Sequence, residues 1–421
     1  FNDHEPGLYK TTNYGNTWTK INNGIPSGAF TRVVREDDKR KGLLFAGTET
    51  GVYISWNGGN DWKAFQLNLP VTPITDLRIH QDNLIASTSG RAFWILDDLS
   101  LLRQYKEGGN AFSIYSPSPA YIVNGSSELD ETDTAFTGLN KSRGVNPSTG
   151  VVFYYNLPVL KEQDLLTMEI KDLQGKMVRS FTSKADSTYK KYEGAPPEDP
   201  VLSVTAGINR FVWNMRYSTM PGIEDVYVES SYKGHKAIPG NYQVTLGLNG
   251  KTVSTGAVIL ANPLYNTDTT TYSAYHHMMS SMETALTSMH NLVNSLFAKR
   301  EQLESILASL SGGEKYSRIK KDGQDLIKKM KAWDEDMVQR KSKAYDDVEN
   351  FENKFTSNYL FLINQTESDI ARVNQPSINR LKELDAAWAL LKSRADEILD
   401  KNLPALNKML WEAGVGAVWK K

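Results

Sequence analysis

The residue types able to do chemistry in this chain are a few carboxylates, one arginine beside them, and a pair of histidines. Glu49, Asp97 and Asp98 lie in the first quarter of the sequence, with Arg91 between them. Two carboxylates flanking a bond are what glycoside hydrolysis uses; sialidases replace one by a tyrosine nucleophile. A planar guanidinium grips a carboxylate-bearing ligand through two parallel N–H donors. Glu49, Asp97, Asp98 and Arg91 do not make up a full set of this kind, so no residue is assigned a catalytic role. Isolated charges in hairpins are ordinarily just solvated, and that is the plain alternative for each of them.

The other catalytic classes fare worse. There are 6 histidines, and only His276-His277 are adjacent. Neighbours on a helix point in different directions, so they are not a metal pair at i, i+4. No His-Glu-x-x-His, no phosphate-binding glycine loop and no Gly-x-Ser-x-Gly elbow occurs. The count of 0 Cys removes thiolate chemistry, disulfides and thiolate metal sites together. No cofactor and no metal is therefore expected. A net charge of -1 lacks the basic excess of a nucleic-acid protein. No apolar run approaches the ~18 residues of a membrane span.

The elements that must position Glu49 and Arg91 come from a repeat. Thr11 to Trp18 reads TTNYGNTW, and Ser55 to Trp62 reads SWNGGNDW, 44 positions later (11 to 55). Thr11, Asn13, Gly15 and Trp18 thus correspond to Ser55, Asn57, Gly59 and Trp62. Strands are predicted at Phe30 to Val34, Leu43 to Ala46, Val52 to Ser55 and Trp62 to Phe65. A degraded copy follows at Ile74 to Ile79, Leu84 to Ser87 and Phe93 to Leu96. A period of roughly 40–45 residues with four strands per unit is the pattern of a β-propeller blade. About two blades are present, and closure takes about four to eight. The opening FNDHEPGLYK has no Met and no signal-peptide pattern. The chain is thus expected to be the C-terminal part of a longer protein, with any export signal upstream.

Three regions are expected. Residues 1–105 hold the blades. Residues 106–265 have the short strands and turns of an immunoglobulin-like sandwich. Its strands are Val151 to Tyr155, Leu166 to Leu173, Asn209 to Met215 and the run of Tyr242, Val244 and Leu246, with a turn at Asn249-Gly250. Ser183 to Pro200 and Tyr217 to His235 read as long loops. Residues 266–421 should form an antiparallel helical bundle. Positions 275, 282, 289, 296, 303 and 310 make one seam, with 278, 285, 292, 299 and 306 as its partner set. Ser311-Gly312-Gly313 should stop that helix. Further helices are expected at Glu314 to Gln339, Asn358 to Val373, and after Pro376 with Leu381, Leu384, Trp388, Leu391, Ala395 and Ile398 inward. The methionines at 278, 279, 282 and 289 fit core packing, or alternatively an adaptable binding face.

The repeated turn resembles the Asp-box, or BNR repeat, of pattern Ser/Thr-x-Asp-x-Gly-x-Thr-Trp, with Asn13 and Asn57 in the Asp position. That box occurs in sialidases, sortilin-type domains and two-propeller xyloglucan hydrolases. Leu84 to Asp98 is similar to the final blade of large exported bacterial BNR-repeat proteins. Asn146 to Tyr155 and Leu406 to Val415 resemble their sandwich and terminal helix. Leu166 to Val178 and Ile238 to Tyr242 resemble sorting and hook-cap domains. The resemblance covers essentially the whole chain. It implies that the boxes are scaffold, joining third and fourth strands away from the ligand face. It places loops between second and third strands on the ligand rim, which makes Glu49 and Arg91 the site candidates. The expected function is a non-catalytic binding or assembly module that is secreted, periplasmic or on the cell surface. Its partners would be a protein or glycan, and blades N-terminal to this sequence. The rival is a glycoside hydrolase with its site mostly on those other blades.

Overall fold

Short apolar runs separated by Gly, Asn and Pro pair into sheets, and the long periodic segments behind them coil into helices. The computed structural model describes residues 3–109, 111–130, 144–311, 313–367 and 371–418, a mixed β and α chain. β1 (Tyr9–Lys10) pairs with β2 (Thr19–Lys20). β3 (Thr31–Glu36), β4 (Leu44–Thr48), β5 (Val52–Ser55) and β6 (Lys63–Ala64) form an antiparallel meander. β7 (Ile74–His80), β8 (Asn83–Thr88) and β9 (Phe93–Leu96) form another, followed by the short helix α1 (Ser100–Gln104).

Strands β4 and β5 are buried along their whole length. A strand covered on both faces reads as a continuous apolar run, and theirs do. Leu43, Phe45, Val52 and Ile54 pack with Ile74, Leu77, Leu84 and Leu99 on one side. Leu44, Ala46, Tyr53 and Trp62 pack with Leu8, Ile25 and Ala29 on the other. The β3–β6 meander is thus covered on both faces, by the β7–β9 sheet on one and by residues flanking β1 and β2 on the other.

Behind them, β10 (Ser113–Ile114) and β11 (Ala120–Tyr121) lead into β12 (Val151–Leu157), β13 (Leu166–Asp172), β14 (Met177–Thr182), β15 (Gly207–Trp213), β16 (Gly240–Leu248) and β17 (Lys251–Leu260). They build a three-stranded sheet, β10-β12-β15, and a five-stranded sheet, β11-β17-β16-β13-β14. Alternate residues of both fill one core. Phe181 meets Phe211 and Trp213 meets Tyr242 edge-on across it, at 4.6 and 5.7 Å between ring centroids. Asn249 and Gly250 both have positive φ, the twist a two-residue hairpin needs, as the Asn-Gly pair predicts.

The helices are α2 (Thr269–Ser309), α3 (Glu314–Met337), α4 (Phe355–Thr366), α5 (Gln375–Glu397) and α6 (Leu403–Glu412). Asn374 caps α5 through the N–H of Ser377, with Pro376 in the first turn as expected. One π-helical turn, Ile398–Asn402, links α5 to α6, where Pro404 cannot donate a backbone bond. Trp333 of α3 donates to Leu391 O at 2.8 Å, and Tyr359 of α4 to Asp385 at 2.9 Å. The apolar core runs unbroken from the two sheets into the helices. The front sheets join the rest through polar contacts: the Gln104 amide pairs with both backbone groups of Ser116, and Ser118 bonds Asp98.

Two helical expectations need correction. Positions 275, 282, 289, 296, 303 and 310 are all buried, but 278, 285, 292 and 306 are only partly so. Met279, Leu286 and Val293 are the fully buried companions. A straight helix of 3.6 residues per turn buries i, i+4, i+7 rather than a two-helix coiled-coil seam. The helix expected from Asn358 to Val373 starts earlier and ends at Thr366. Residues 368–370 and Gly312 of the expected stop lie outside the described residues.

Candidate functional site

The two repeated turns fold alike down to single hydrogen bonds. In the first, the Thr11 hydroxyl donates to Asn13 Oδ1 (3.1 Å) and accepts the N–H of Gly15 (2.8 Å). Asn13 Oδ1 accepts the N–H of Thr17 at 2.9 Å. In the second, Ser55 donates to Asn57 Oδ1 (2.9 Å) and accepts from Gly59 N–H (3.0 Å), while Asn57 Oδ1 accepts from Asp61 N–H (3.0 Å). Short polar side chains here replace backbone partners inside a tight turn. Gly15 and Gly59 have φ of 91° and 88°, which a side chain would strain. Each box joins paired strands, β1 to β2 and β5 to β6. The Thr11, Asn13, Ser55 and Asn57 side chains all bond within their own turns, while Asp61 also accepts from Asn23 Nδ2 at 2.7 Å. Trp62 donates to Ile21 O at 2.6 Å in the neighbouring unit. Trp18 is 60% exposed, so of the two box tryptophans Trp62 alone is buried among the described residues.

The asparagines differ in one respect. Asn13 Nδ2 donates to the hydroxyl of Thr17 at 2.9 Å, but Asn57 Nδ2 donates to the carboxylate of Asp61 at 2.9 Å. Asn13→Asp should be nearly neutral, because the hydroxyl can turn and donate. Asn57→Asp would oppose two carboxylates and should cost about 1–2 kcal/mol. Chemical denaturation of the two single variants separates them.

Glu49 and Arg91 sit in corresponding turns, β4 to β5 and β8 to β9. Thr48 closes the first, its N–H and hydroxyl both donating to Gly51 O at 2.8 and 2.9 Å. Thr88 closes the second on Ala92 O at 3.2 and 2.7 Å. The next N–H reaches back in both, Glu49 to Phe30 O and Ser89 to Pro73 O. The Glu49 carboxylate is held by Arg32, whose Nε lies at 2.8 Å. Arg32 in turn sits over the Phe30 ring at 5.0 Å. Arg91 has an exposed side chain, and its carbonyl accepts from Trp94 Nε1 at 2.8 Å. The two residues occupy equivalent places but make no contact with each other.

The adjacent carboxylates split into different tasks. Asp98 accepts the N–H of Ser100 at 2.9 Å and the hydroxyl of Ser118 at 2.7 Å, so it is a tie. Asp97 is pushed above the ordinary carboxylate range by partial desolvation and then by the Asp98 charge. Among the described residues no three His, Asp or Glu side chains group to hold a metal.

Two features escaped the sequence. The loops at 183–202 and 217–226 wall a cleft of about 570 Å³, with Tyr189, Tyr192, Pro196, Asp199, Met220 and Asn294 among its lining. Two ion pairs lie at it, Lys190 to Glu224 at 2.5 Å and buried Arg179 to Asp199. The second feature is a chain of polar side chains at the back of the same 217–238 loop. Glu283 of α2 accepts the backbone N–H of His235 at 2.7 Å and meets its Nδ1 at 2.9 Å. His235 Nε2 lies 2.8 Å from Nδ1 of His276, and the Tyr217 ring stacks on both imidazoles. His276 therefore has a partner 41 positions away, whereas its neighbour His277 faces solvent.

No family model matches the chain, and no curated protein matches it. Two solved structures share some of its path. One is the extracellular domain assigned to a one component system of B. thetaiotaomicron, 13% identical, covering 61% of this chain and 29% of that one at a TM-score of 0.19. The other, from the same organism, is an extracellular domain assigned to a hybrid two component system, 13% identical, covering 60% and 27% at 0.17. The chain spans under a third of the length of either. At such TM-scores neither likeness bears on fold or function. Among the described residues no helix is long and apolar enough to cross a membrane.

Proposed function

We propose that this chain is a non-catalytic binding or assembly module, with residues 1–105 acting as consecutive Asp-box propeller blades. On this reading 106–265 is an immunoglobulin-like sandwich and 266–421 a helical bundle bracing it. The blades take a protein or glycan at the rim carrying Glu49 and Arg91, and further blades lie outside this sequence. The setting is secreted, periplasmic or cell-surface. The observation that carries the non-catalytic part is the state of the rim carboxylate: among the described residues the Glu49 carboxylate is ion-paired to Arg32. Glycoside cleavage needs a proton donor and a base or nucleophile about 5–10 Å apart. The matching box bonds support the blade reading.

One observation favours the rival hydrolase. Asp97 has a raised pKa and is not tied into a turn as Asp98 is, which suits a general acid. Both readings meet in one experiment on the natural full-length protein. Glycan-array binding should be lost in Glu49→Gln or Arg91→Ala, with no turnover of sialosides or β-glucans by the unaltered protein. Turnover that Asp97→Asn abolishes would decide for the hydrolase.

A further inference from the structure

We propose that the 217–238 loop is fastened to α2 by an acid-labile clasp, built from His276, Glu283 and His290 on the helix and His235 on the loop. The three helix positions recur every seven residues, so they form one polar stripe about 21 Å long beside the apolar seam. All three face the same loop.

The upper half is the bridge already described. A carboxylate can only accept, so His235 Nδ1 carries the proton toward Glu283. The 2.8 Å gap between His235 Nε2 and His276 Nδ1 then holds one further proton. One extra proton has only the outer nitrogen of His276 to go to, and there it makes a charged ring in a desolvated site beside His235 and Lys176, which opposes it. A second would put N–H against N–H across that gap and break the bridge. The other groups facing it are Asp172, Lys176, His277, Tyr217 and Tyr275. Burial first, then the neighbouring His235, lowers His276 to about 4. Tyr217 stays neutral, raised by burial and by the Asp172 and Glu283 charges.

The lower half is simpler. His290 is buried and donates from Nδ1 to Pro221 O at 2.7 Å. Its Nε2 is buried with no partner, and the facing side chain is Tyr232, whose hydroxyl is also buried and unbonded. A proton on Nε2 would place charge there with no acceptor. Burial lowers His290 to about 4 against the favourable Pro221 bond. One helical turn on, Asn294 holds Gly222 O at 3.0 Å and the N–H of Glu224 at 3.3 Å. Loosening this half therefore moves the wall of the 570 Å³ cleft that Pro221, Gly222 and Glu224 form.

Both imidazoles have folded pKa values below the unfolded value of 6.5. The clasp is then fully present above pH 6.5 and weakens as pH falls toward 4. Each histidine contributes up to about tenfold per pH unit to the opening equilibrium in that window. Hydrogen exchange of the loop amides reads this directly, from pH 7.5 down to 4.5, after correction for intrinsic exchange. The expected result is opening that rises close to a hundredfold per unit near pH 5, and no more than tenfold in His290→Gln. His277→Gln should behave as the unaltered protein. A pH slope unchanged in both His276→Gln and His290→Gln would overturn the clasp. Should either variant fold poorly, NMR titration of the unaltered protein decides: His276 and His290 pKa values at or above 6.5 would equally overturn it.

Discussion

Replacing Arg103 by alanine is expected to destabilise the front sheets by about 3–5 kcal/mol, the cost of stranding a buried charge. The Asp37 carboxylate is 0% exposed. It takes Arg103 Nε at 3.0 Å on both oxygens and a terminal nitrogen at 2.8 Å. The backbone N–H groups of Lys39 (3.0 Å) and Arg40 (2.7 Å) complete its shell. Burial by itself raises the Asp37 pKa; the Arg103 bonds and the two N–H donors outweigh it and leave it below the ordinary value. Arg103 also bonds Asp82, which links α1 to the turn after β7. The sign of the pH dependence follows. In the unaltered protein this stabilisation is present above the unfolded carboxylate pKa and is lost as pH falls below it. Without Arg103, burial dominates and Asp37 binds a proton more readily folded than unfolded. The gap between Arg103→Ala and the unaltered protein, measured by urea denaturation, should therefore narrow from pH 7 to pH 4. Adding Asp37→Asn, which keeps an oxygen for the two N–H groups, should recover most of the loss. An Arg103→Ala cost under 1 kcal/mol would mean the network is dispensable.

What the sequence disclosed divides along contact distance. The boxes were legible because each is closed within eight residues: Ser55, Asn57 and Gly59 bond one another. The strand at Val52–Ser55 was legible because burial on both faces leaves an unbroken apolar run. Strand β17 was not, since Lys251 to Gly256 is polar and small on its exposed residues. The helical seam was half right, because α2 is a straight 3.6-residue helix that packs on the loop after β15 as well as on α3 and α4. The polar networks were invisible for a different reason. Arg103 and Asp37 are 66 positions apart, His235 and Glu283 are 48 apart, and no local pattern marks either pair. The seven-residue spacing of His276, Glu283 and His290 was the one available signal. It was masked by a stronger apolar repeat one position earlier. The two long loops were read separately as polar connections; that they wall one cleft is a property of the fold.

Trp62→Ala is expected to cost about 3–5 kcal/mol, and Trp18→Ala less than about 0.5, although the two residues hold the same place in the same motif. Trp62 is 3% exposed. Its indole donates to Ile21 O at 2.6 Å, and its backbone N–H to Asn23 O at 2.8 Å. Gly24, at a φ of 95°, lies so close to the Trp62 carbonyl that any side chain there would collide with it. The ring, the two bonds and the glycine together make a slot on the preceding unit. Truncation leaves a large cavity and an unbonded carbonyl. Trp18 has the matching turn beneath it but, among the described residues, no such slot, and it is 60% exposed. Its removal should hardly register in this chain. If the front sheets are blades of a larger propeller, the preceding blade brings that slot. In a protein extended by its natural upstream sequence, the cost of Trp18→Ala should then climb toward that of Trp62→Ala, and Trp18 fluorescence should shift to the blue. An unchanged Trp18 in the longer protein would count against the blade reading while leaving the scaffold role of Trp62 intact.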